Sequence, residues 1–276
     1  MVKLTQSNYY DDKEYMSVSR LKAFMECEAK QLAIEKGEWI DERDNTPLIF
    51  GNYVHSKFES EKAHVDFKTE YNDQLFSTRK PHGLLSQYQL AEKVIETLEK
   101  DKLFNVLYHG KEKDKVAKEE IIFGEIEEVP FKGKIDSINY SRGYIVDLKT
   151  MKSIHNLEWN DELRTKIPAA VNNILTYKYH MQLGVYQELL RQMGNYTFKP
   201  FIVAVSKEKQ PDKEIIEVTE MWLLDGLEMA TNAIRDLKPL LDGKRKPKSC
   251  DNCDYCRAHK QLKEIISLDD LIGGYK

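Results

Sequence analysis

Two aspartates and a lysine in one stretch of the chain have the types and the spacing of a hydrolytic metal site. Asp136 lies eleven residues before Asp147, and Lys149 follows two residues after the second acid. Side chains alternate between the two faces of a strand, so Asp147 and Lys149 share one face while Leu148 points to the other. Residues 139–143, Asn-Tyr-Ser-Arg-Gly, predict a tight turn. Folding at this turn brings Asp136 roughly opposite Asp147.

The chemistry of these residues follows from their charges. Two neighbouring carboxylates repel each other unless a cation lies between them, and hard oxygen ligands suit Mg²⁺ or Mn²⁺. The ammonium group of Lys149 beside such an ion can orient a water molecule or neutralise phosphate charge. The pattern therefore predicts metal-assisted hydrolysis of a phosphodiester. The alternative is a solvated strand face, because Asp-x-Lys is common by chance.

The surrounding sequence resembles a known family. The Gly-Lys-Ile-Asp segment that ends at Asp136, the turn, and residues 144–150 resemble the RecB-like and RecE-like branch of the PD-(D/E)XK nuclease superfamily. In that branch a Gly-x-x-Asp motif precedes a turn and then Asp-x-Lys-Thr; Asp147 stands where the wider family usually has Glu. The resemblance implies that both aspartates and the Leu148 carbonyl hold one or two Mg²⁺ or Mn²⁺ ions. It also implies that Lys149 positions the attacking water.

Two more motifs fall where this resemblance requires them. The Gly-x-x-x-His segment that ends at His55 matches a family motif whose imidazole binds the metal; a packed or solvated helical histidine is the alternative. Gln182 and Tyr186 are four residues apart and share one helix face. They match the family's Gln-x-x-x-Tyr motif, which implies a link between the metal and the DNA backbone. A plain amphipathic core helix is the alternative there, and we expect Tyr179 and His180 to line the same cleft.

Glu119 and Glu120 begin the strand that precedes Asp136. Alternation places their side chains on opposite faces, so only one of them can approach the metal. We expect it to be Glu120.

All the cysteines of the chain fit one site with four ligands. Cys250, Cys253 and Cys256 follow each other at two-residue intervals, and Cys27 precedes them by more than two hundred residues. This spacing suits a [4Fe–4S] cluster with one remote ligand, and structural Zn²⁺ accepts the same four thiolates. Disulfides are a third alternative, disfavoured because no secretion signal is evident. Iron–sulfur nucleases of the AddB type have one cysteine before the core and three after it, so the resemblance implies a [4Fe–4S] clasp.

Composition and length agree with one sizeable domain. The chain has 276 residues, 41% of them hydrophobic, and a net charge of −4. We predict one nuclease domain over residues 1–276, with a core at about 48–220. Residues 17–36 and 219–260 are expected to form helical additions that the four cysteines clasp together. No window approaches the ~18 apolar residues of a membrane helix, so we expect a soluble, cytoplasmic protein with no membrane contact.

The predicted elements indicate a mixed α/β fold, with a central sheet of the restriction-endonuclease type flanked by helices. The hydrophobic patterns and capping residues predict helices near 17–36, 48–62, 84–100, 169–193 and 219–242. Strands are predicted near 117–123, 128–138, 144–150, 200–206 and 213–218.

The resemblance implies a biological role as well. RecE-like proteins of this size are phage or prophage exonucleases that resect DNA ends for recombination, often beside a single-strand annealing protein. The expected function is therefore a Mg²⁺-dependent DNA exonuclease that acts in the cytoplasm of a bacterial host and has the capacity to form homo-oligomers. A single-strand-specific or structure-specific endonuclease is one alternative. A nuclease-like DNA-binding module without catalysis is another.

Overall fold

The protein is described by a computed structural model in which residues 4–6, 8–194, 197–262 and 265–269 are placed. The chain forms two compact units. Unit 1 consists of residues 1–18 and 43–236, and unit 2 consists of residues 19–42 and 237–276. The organisation as one nuclease domain stays a prediction.

Unit 1 contains a mixed central sheet with the order β1-β3-β4-β7-β8, in which β2 also pairs with β3. The strands of this sheet are β1 (Met16–Ser17), β2 (Val116–Ile126), β3 (Val129–Asn139), β4 (Tyr144–Met151), β7 (Lys199–Ser206) and β8 (Lys213–Glu217). A separate antiparallel hairpin is formed by β5 (Leu157–Asn160) and β6 (Thr165–Pro168). β4 and β7 are parallel neighbours, and both are largely buried.

Strand β3 lies in the middle of the sheet, with β2 along one of its edges and parts of β1 and β4 along the other. Along one edge it pairs with β2 over its whole length except at Asp136, whereas along the other it pairs with β4 only from Ser137 to Asn139 and with β1 only at Phe131 and Lys132. The backbone of β3 between these two short ladders is therefore open towards β4. Asp136 lies at this opening, one residue before the last β3–β4 pair, Ser137 with Val146.

Helices cover the sheet of unit 1. They are α3 (Thr46–Glu59), α4 (Glu61–Glu70), α5 (Asn72–Leu75), α6 (Ser86–Glu99), α7 (Lys102–His109), α8 (Ala169–Thr176), α9 (Tyr179–Gln192) and most of α10 (Glu220–Leu241). The main hydrophobic core lies where α3, α6 and α7 pack on β4 and β7. Its large members include Tyr53, Phe104, Tyr108 and Leu148.

The other helices of unit 1 include two that contact each other through glycines. A Cβ atom at Gly184 would lie 2.4 Å from the Leu223 carbonyl oxygen, and one at Gly226 would lie 2.5 Å from the His180 carbonyl oxygen. Backbone cannot yield as a flexible side chain can, so only glycine allows α9 and α10 to approach this closely. This contact fixes α9, which carries the Gln-x-x-x-Tyr motif.

Unit 2 is small. It contains residues 19–26 of α1 (Val18–Glu26), α2 (Glu28–Glu35), the last turns of α10, and α11 (Asp254–Ala258). Leu21 and Phe24 are among its few buried hydrophobic side chains. The Cys27 sulfur accepts a hydrogen bond from the Lys30 amide and caps α2.

The predicted fold class, a mixed sheet flanked by helices, is confirmed, and the five predicted strands occur within three residues of their expected bounds. Two predicted helices are each divided: 17–36 breaks at Cys27, and 169–193 breaks at Tyr177 and Lys178. Helices α4 and α7 and the β5–β6 hairpin were not predicted. Among the described residues, the helices are all too short or too polar to cross a bilayer.

Candidate active site

The four elements that carry the predicted nuclease motifs converge at the opening beside β3. Asp136 is on β3, Asp147 and Lys149 are on β4, His55 is on α3 and Gln182 is on α9. Asp147 follows Val146, the last β4 residue paired with β3, so both aspartates lie where these two strands separate. The hairpin over residues 139–143 forms as predicted, with Gly143 at φ +68°.

His55 and Asp136 meet at this point. The Nδ1 atom of His55 lies 3.3 Å from Oδ2 of Asp136, and the same oxygen accepts a hydrogen bond of 2.7 Å from the Leu148 amide. The backbone of Leu148 also hydrogen-bonds His55. In a strand, the N–H and C=O of one residue point in the same direction, so the Leu148 carbonyl is directed towards the same opening.

The acidic neighbour of this pair is Glu119, and the prediction of Glu120 is corrected. The ligand atoms of His55, Glu119 and Asp136 lie within 4.8 Å of one another. Glu120 lies on the other face and accepts a hydrogen bond of 3.0 Å from the Tyr140 hydroxyl. The reason is register: β2 and β3 pair Lys118 with Ser137 and Glu120 with Ile135, which sets Glu119 opposite Asp136.

Sequence reasoning named both glutamates but favoured Glu120, because the turn that sets this register is unusual. Ile126 pairs with Val129, so the β2–β3 turn consists of Glu127 and Glu128, with φ of +50° and +62°. Turns of this kind favour Asn and Gly, and two glutamates give no such signal. Counting back from this turn would have placed Glu119 beside Asp136.

Asp147 is held by a lysine and an amide. Its Oδ2 lies 2.7 Å from the Lys149 ammonium, and its Oδ1 accepts a hydrogen bond of 3.1 Å from the Gln182 side chain. Asp147 Oδ2 is buried, and its charge is compensated by the Lys149 ammonium rather than by a backbone hydrogen bond. A carboxylate buried in this way can also serve as a ligand for a divalent cation.

Tyr186 completes the motif on α9. Its hydroxyl accepts a second hydrogen bond of 3.1 Å from Gln182, so one amide group links Tyr186 to Asp147. The ring lies against β3 at Gly133, where a Cβ atom would be 2.5 Å from the ring. The glycine of the Gly-x-x-Asp motif therefore provides the space in which Tyr186 packs.

Burial and mutual repulsion shift the titration of this group, which we call the carboxylate site and define as His55, Glu119, Asp136 and Asp147. Burial and the charge of Asp147 raise the pKa of Asp136 to about 7. Burial and the charge of Asp136 raise the pKa of Glu119. Burial and the nearby Lys149 lower the pKa of His55, which favours the neutral imidazole that binds metals.

Two cations balance part of this negative charge. Lys134 forms an ion pair of 2.8 Å with Glu119, and Lys149 pairs with Asp147. Burial alone would lower the pKa of Lys149, but the charges of Asp147 and Asp136 raise it above its usual value. Lys149 is therefore charged at neutral pH.

Tyr179 and His180 point in different directions. The Tyr179 ring centroid is 5.1 Å from the Lys149 ammonium, so Tyr179 lies beside the carboxylate site. His180 is buried, with its Nε2 atom 3.5 Å from Asp225 and its ring 5.9 Å from that of Trp222. The expectation that His180 lines the cleft is wrong, because adjacent residues of a helix face different sides.

The four cysteines, which we call the thiol site, meet in unit 2. Their sulfur atoms all lie within 4.8 Å of one another, and the Cys27 and Cys256 sulfurs are 3.5 Å apart. None of the four forms a disulfide. The Ser249 hydroxyl donates a hydrogen bond of 2.9 Å to Cys256. Burial alone would raise the pKa of Cys256, but this bond and the neighbouring thiols lower it to about 6.

A buried ion pair holds the two sequence segments of the thiol site together. Glu28, next to Cys27, pairs with Arg245 at 2.7 Å and also accepts the Lys248 amide at 2.7 Å. The Ala29 amide donates to the Lys248 carbonyl at 3.0 Å. These bonds place the cysteine-rich segment beside the start of α2.

Comparison with known proteins gives two informative matches. The family model described as "PDDEXK-like domain of unknown function (DUF3799)" matches residues 17–259. A crystal structure from Eubacterium rectale, described as a "putative exonuclease", is 33% identical to this chain with a TM-score of 0.84. That alignment covers 99% of this chain and 100% of the Eubacterium rectale chain. Both matches support a nuclease.

Two other comparisons add nothing to this assignment. A structure of the protein SSO0001 is 14% identical over 86% of this chain and 91% of its own, and its TM-score is 0.30, too low to support an inference. No curated protein sequence matches the chain.

Proposed function

Because the chain belongs to the PDDEXK-like family DUF3799, we propose that it is a metal-dependent deoxyribonuclease with its active centre at the carboxylate site. The observation that carries the proposal is the convergence of His55, Glu119 and Asp136 within 4.8 Å, beside the Asp147–Lys149 ion pair. Packing alone gives no reason to bury so many ionisable groups together, because each charge costs free energy unless it is compensated.

The donor atoms at the carboxylate site fit a hard divalent cation. Carboxylate oxygens, a neutral imidazole and a backbone carbonyl are ligands that Mg²⁺ and Mn²⁺ accept. We assign Asp136, Asp147, His55 and the Leu148 carbonyl as ligands, and we add Glu119. The raised pKa of Asp136 supports this assignment, since a cation between the acids would offset their mutual repulsion. A bound ion would lower the pKa of a water molecule and neutralise charge on the scissile phosphate.

The remaining groups position the reactants. Lys149 keeps its charge and can hold the attacking water or a phosphate oxygen beside the acids. Gln182 fixes Asp147 by a hydrogen bond to Oδ1, which leaves Oδ2 directed towards Lys149. Tyr186 fixes Gln182 in turn. Gln182 and Tyr186 therefore act on the reaction chiefly by holding Asp147 in place.

We further propose an exonuclease that resects DNA ends for recombination. The likeness to the Eubacterium rectale protein supports the exonuclease mode, and the RecE-like motif order supports the role in recombination. A single-strand annealing protein would then be the partner that receives the product. Assembly as a homo-oligomer belongs to the same proposal.

The thiol site is proposed to bind a structural metal centre. Four convergent thiolates are soft ligands that suit iron–sulfur clusters and Zn²⁺. The Cys-x₂-Cys-x₂-Cys spacing with one remote cysteine favours [4Fe–4S]. The distances between the sulfur atoms, all within 4.8 Å, favour a single Zn²⁺ ion instead. Four thiolates that each lie about 2.3 Å from a tetrahedral Zn²⁺ are about 3.8 Å apart from one another. Anaerobic purification with metal analysis and an absorption spectrum separates the two: a brown protein contains the cluster, a colourless one with one zinc contains the ion, and a metal-free protein overturns the proposal.

Digestion of end-labelled linear DNA and closed circular DNA tests the nuclease proposal. With Mg²⁺ we expect release of label from the linear DNA, an intact circle, and no reaction in excess chelator. Cutting of the circle would replace the exonuclease mode by an endonuclease. Binding of both DNAs with no cutting under Mg²⁺ or Mn²⁺ would overturn the enzymatic proposal and identify a DNA-binding module.

A further inference from the structure

Two tyrosines lie at the break between α8 and α9. Helix α8 ends at Thr176, α9 begins at Tyr179, and Lys178 between them has a left-handed backbone with φ +52° and ψ +47°. A non-glycine residue in this region costs free energy and is frequently found at functional sites. The break brings Tyr177 and Tyr179, two residues apart, onto one side of the chain.

The two rings form a short stack that starts at the carboxylate site. The Tyr179 centroid is 5.1 Å from the Lys149 ammonium, and Lys149 contacts Asp147. The Tyr177 ring lies 5.9 Å further on, inclined by only 27° to that of Tyr179. Tyr179 is half-buried, whereas Tyr177 is 55% exposed. Tyr177 is therefore the more exposed of the two rings, and Tyr179 lies between it and Lys149 of the proposed reaction centre.

An exposed aromatic ring beside a phosphodiester-cleaving centre matches the way in which proteins bind single-stranded nucleic acid. Every base has a π face that stacks on tyrosine, and cations nearby hold the phosphates. Here the Lys149 ammonium lies against the Tyr179 ring, and Lys178 stands between the two tyrosines in sequence. We propose that Tyr177 and Tyr179, the tyrosine platform, bind an unpaired nucleobase next to the scissile phosphate. This inference rests on the proposed nuclease function and names its substrate as an unpaired strand end.

An unpaired strand suits the platform better than a duplex does. Inside a duplex both faces of each base are covered by neighbours, and at a blunt end only the outer face of the terminal pair is free, whereas an unpaired base can turn either face towards a protein ring. Extruding a paired base costs free energy, and that cost is smallest for a base that is already single-stranded. A platform this close to the scissile position therefore selects unpaired ends over paired ones.

Binding of an oligonucleotide with 2-aminopurine near its end tests the platform without requiring cleavage. In chelator, the fluorescence of this base reports stacking. We expect parent protein and Tyr177→Phe to change it alike, and Tyr177→Leu to bind the strand roughly 5- to 100-fold more weakly, since a stacked base is lost. Phe123→Leu is the matched control, because Phe123 is an aromatic residue that is 49% exposed but remote from the platform. Its strand contacts α9 at Gln192, which lies about 15 Å along that helix from Gln182. Equal affinity of the parent and Tyr177→Leu would overturn the platform.

An abasic end identifies the partner of the ring. Removing the base from the oligonucleotide should weaken binding to the parent protein by the same factor as Tyr177→Leu, and should have no further effect on that variant. In Mg²⁺, the ratio of kcat/KM on unpaired ends to kcat/KM on blunt ends should fall by the same factor in Tyr177→Leu. Independent, multiplicative losses would contradict direct stacking. If the platform behaves as expected while no DNA is cut, the nuclease proposal fails and the binding inference stands.

Discussion

The carboxylate site of unit 1 and the thiol site of unit 2 are built on very different supports. Asp136, Asp147 and Glu119 lie on three strands of one sheet. The residues on either side of Asp136 and Glu119 are paired between β2 and β3, and Asp147 is paired with β7, so the backbone pairing of the sheet supports this site. The thiol site joins residues that are 229 positions apart in sequence, Cys27 and Cys256, and its unit has few buried hydrophobic side chains. A metal would therefore mainly offset charge repulsion in the carboxylate site, whereas in the thiol site it would mainly stabilise the folded structure.

The largest expected effect comes from Asp136→Asn. The change removes a ligand and a buried charge together, so we expect cleavage with Mg²⁺ to fall at least about 10³-fold, as for a loss of several kcal/mol of transition-state stabilisation. The thermal midpoint without metal should stay equal or rise, because the repulsion between Asp136 and Asp147 disappears. Nuclease rates and calorimetry in chelator measure the two effects.

Glutamate variants provide the matched control for this prediction. Glu119→Gln should lower activity strongly, whereas Glu120→Gln, which keeps an oxygen that can accept the Tyr140 hydroxyl, should cut DNA like the parent. Equal activity of the Glu119 and Glu120 variants would remove Glu119 from the metal set. A large loss of stability in Asp136→Asn would show that the carboxylate site, too, depends on its charges for folding.

Cys256→Ser is expected to act on folding. Loss of one thiolate should release the metal and destabilise unit 2 by several kcal/mol, because structural metal binding is coupled to folding. Metal content should fall, and proteolysis within residues 19–42 and 237–262 should accelerate before any cut in β3 or β4. Ser249→Ala, which loses one hydrogen bond to the same sulfur, should cost only about 1 kcal/mol and keep the metal. Unchanged metal content in Cys256→Ser would refute a four-thiolate centre.

Gly133→Ala probes the rigid support of the carboxylate site. The new methyl group would push the Tyr186 ring from β3, at an expected cost of about 1–3 kcal/mol in the free energy of unfolding, and would weaken the hold of Gln182 on Asp147. The free energy of unfolding, measured in denaturant, and kcat should both fall. Gly51→Ala is the control, since its Cβ would meet nothing nearer than 3.8 Å and alanine favours a helix. If both variants are as stable as the parent, Gly133 does not provide the space for Tyr186.

A smaller effect is expected from pH. His64 is buried, its Nδ1 atom lies 2.9 Å from the Ser56 hydroxyl, and burial lowers its pKa to about 4. Histidine in the unfolded chain has the higher pKa, so the unfolded chain takes up the proton at a higher pH than the folded chain does. The free energy of unfolding that His64 contributes above pH 6.5 should therefore be lost as the pH falls towards 4. Linkage gives about 2 kcal/mol between pH 7 and pH 5 for such a shift. His64→Gln should flatten this part of the pH profile in urea unfolding, and an unchanged slope would contradict the assignment to His64.

Sequence reasoning predicted the positions of some site residues and failed for others close to them. The spacing of Asp136, Asp147 and Lys149 and the turn between them were sufficient to predict a shared site, because strand alternation and turn chemistry are local properties. Glu120 was favoured over Glu119 because the register depends on the Glu127–Glu128 turn, and two glutamates give no sequence signal for a positive φ. The break at Lys178 was missed for the same reason: a lysine carries no signal for a left-handed backbone.

The sequence by itself determined the α/β class, most element positions, and the residue types able to bind hard and soft metals, since hydrophobic period and side-chain chemistry are written in the chain. Tertiary structure alone decided which glutamate faces Asp136, that α9 turns His180 into the protein, and that Tyr177 stacks on Tyr179 beside Lys149. These outcomes depend on strand register and helix rotation. The register depends on the Glu127–Glu128 turn, whose residue types carry no turn signal, and the rotation of α9 depends on contacts between residues far apart in sequence.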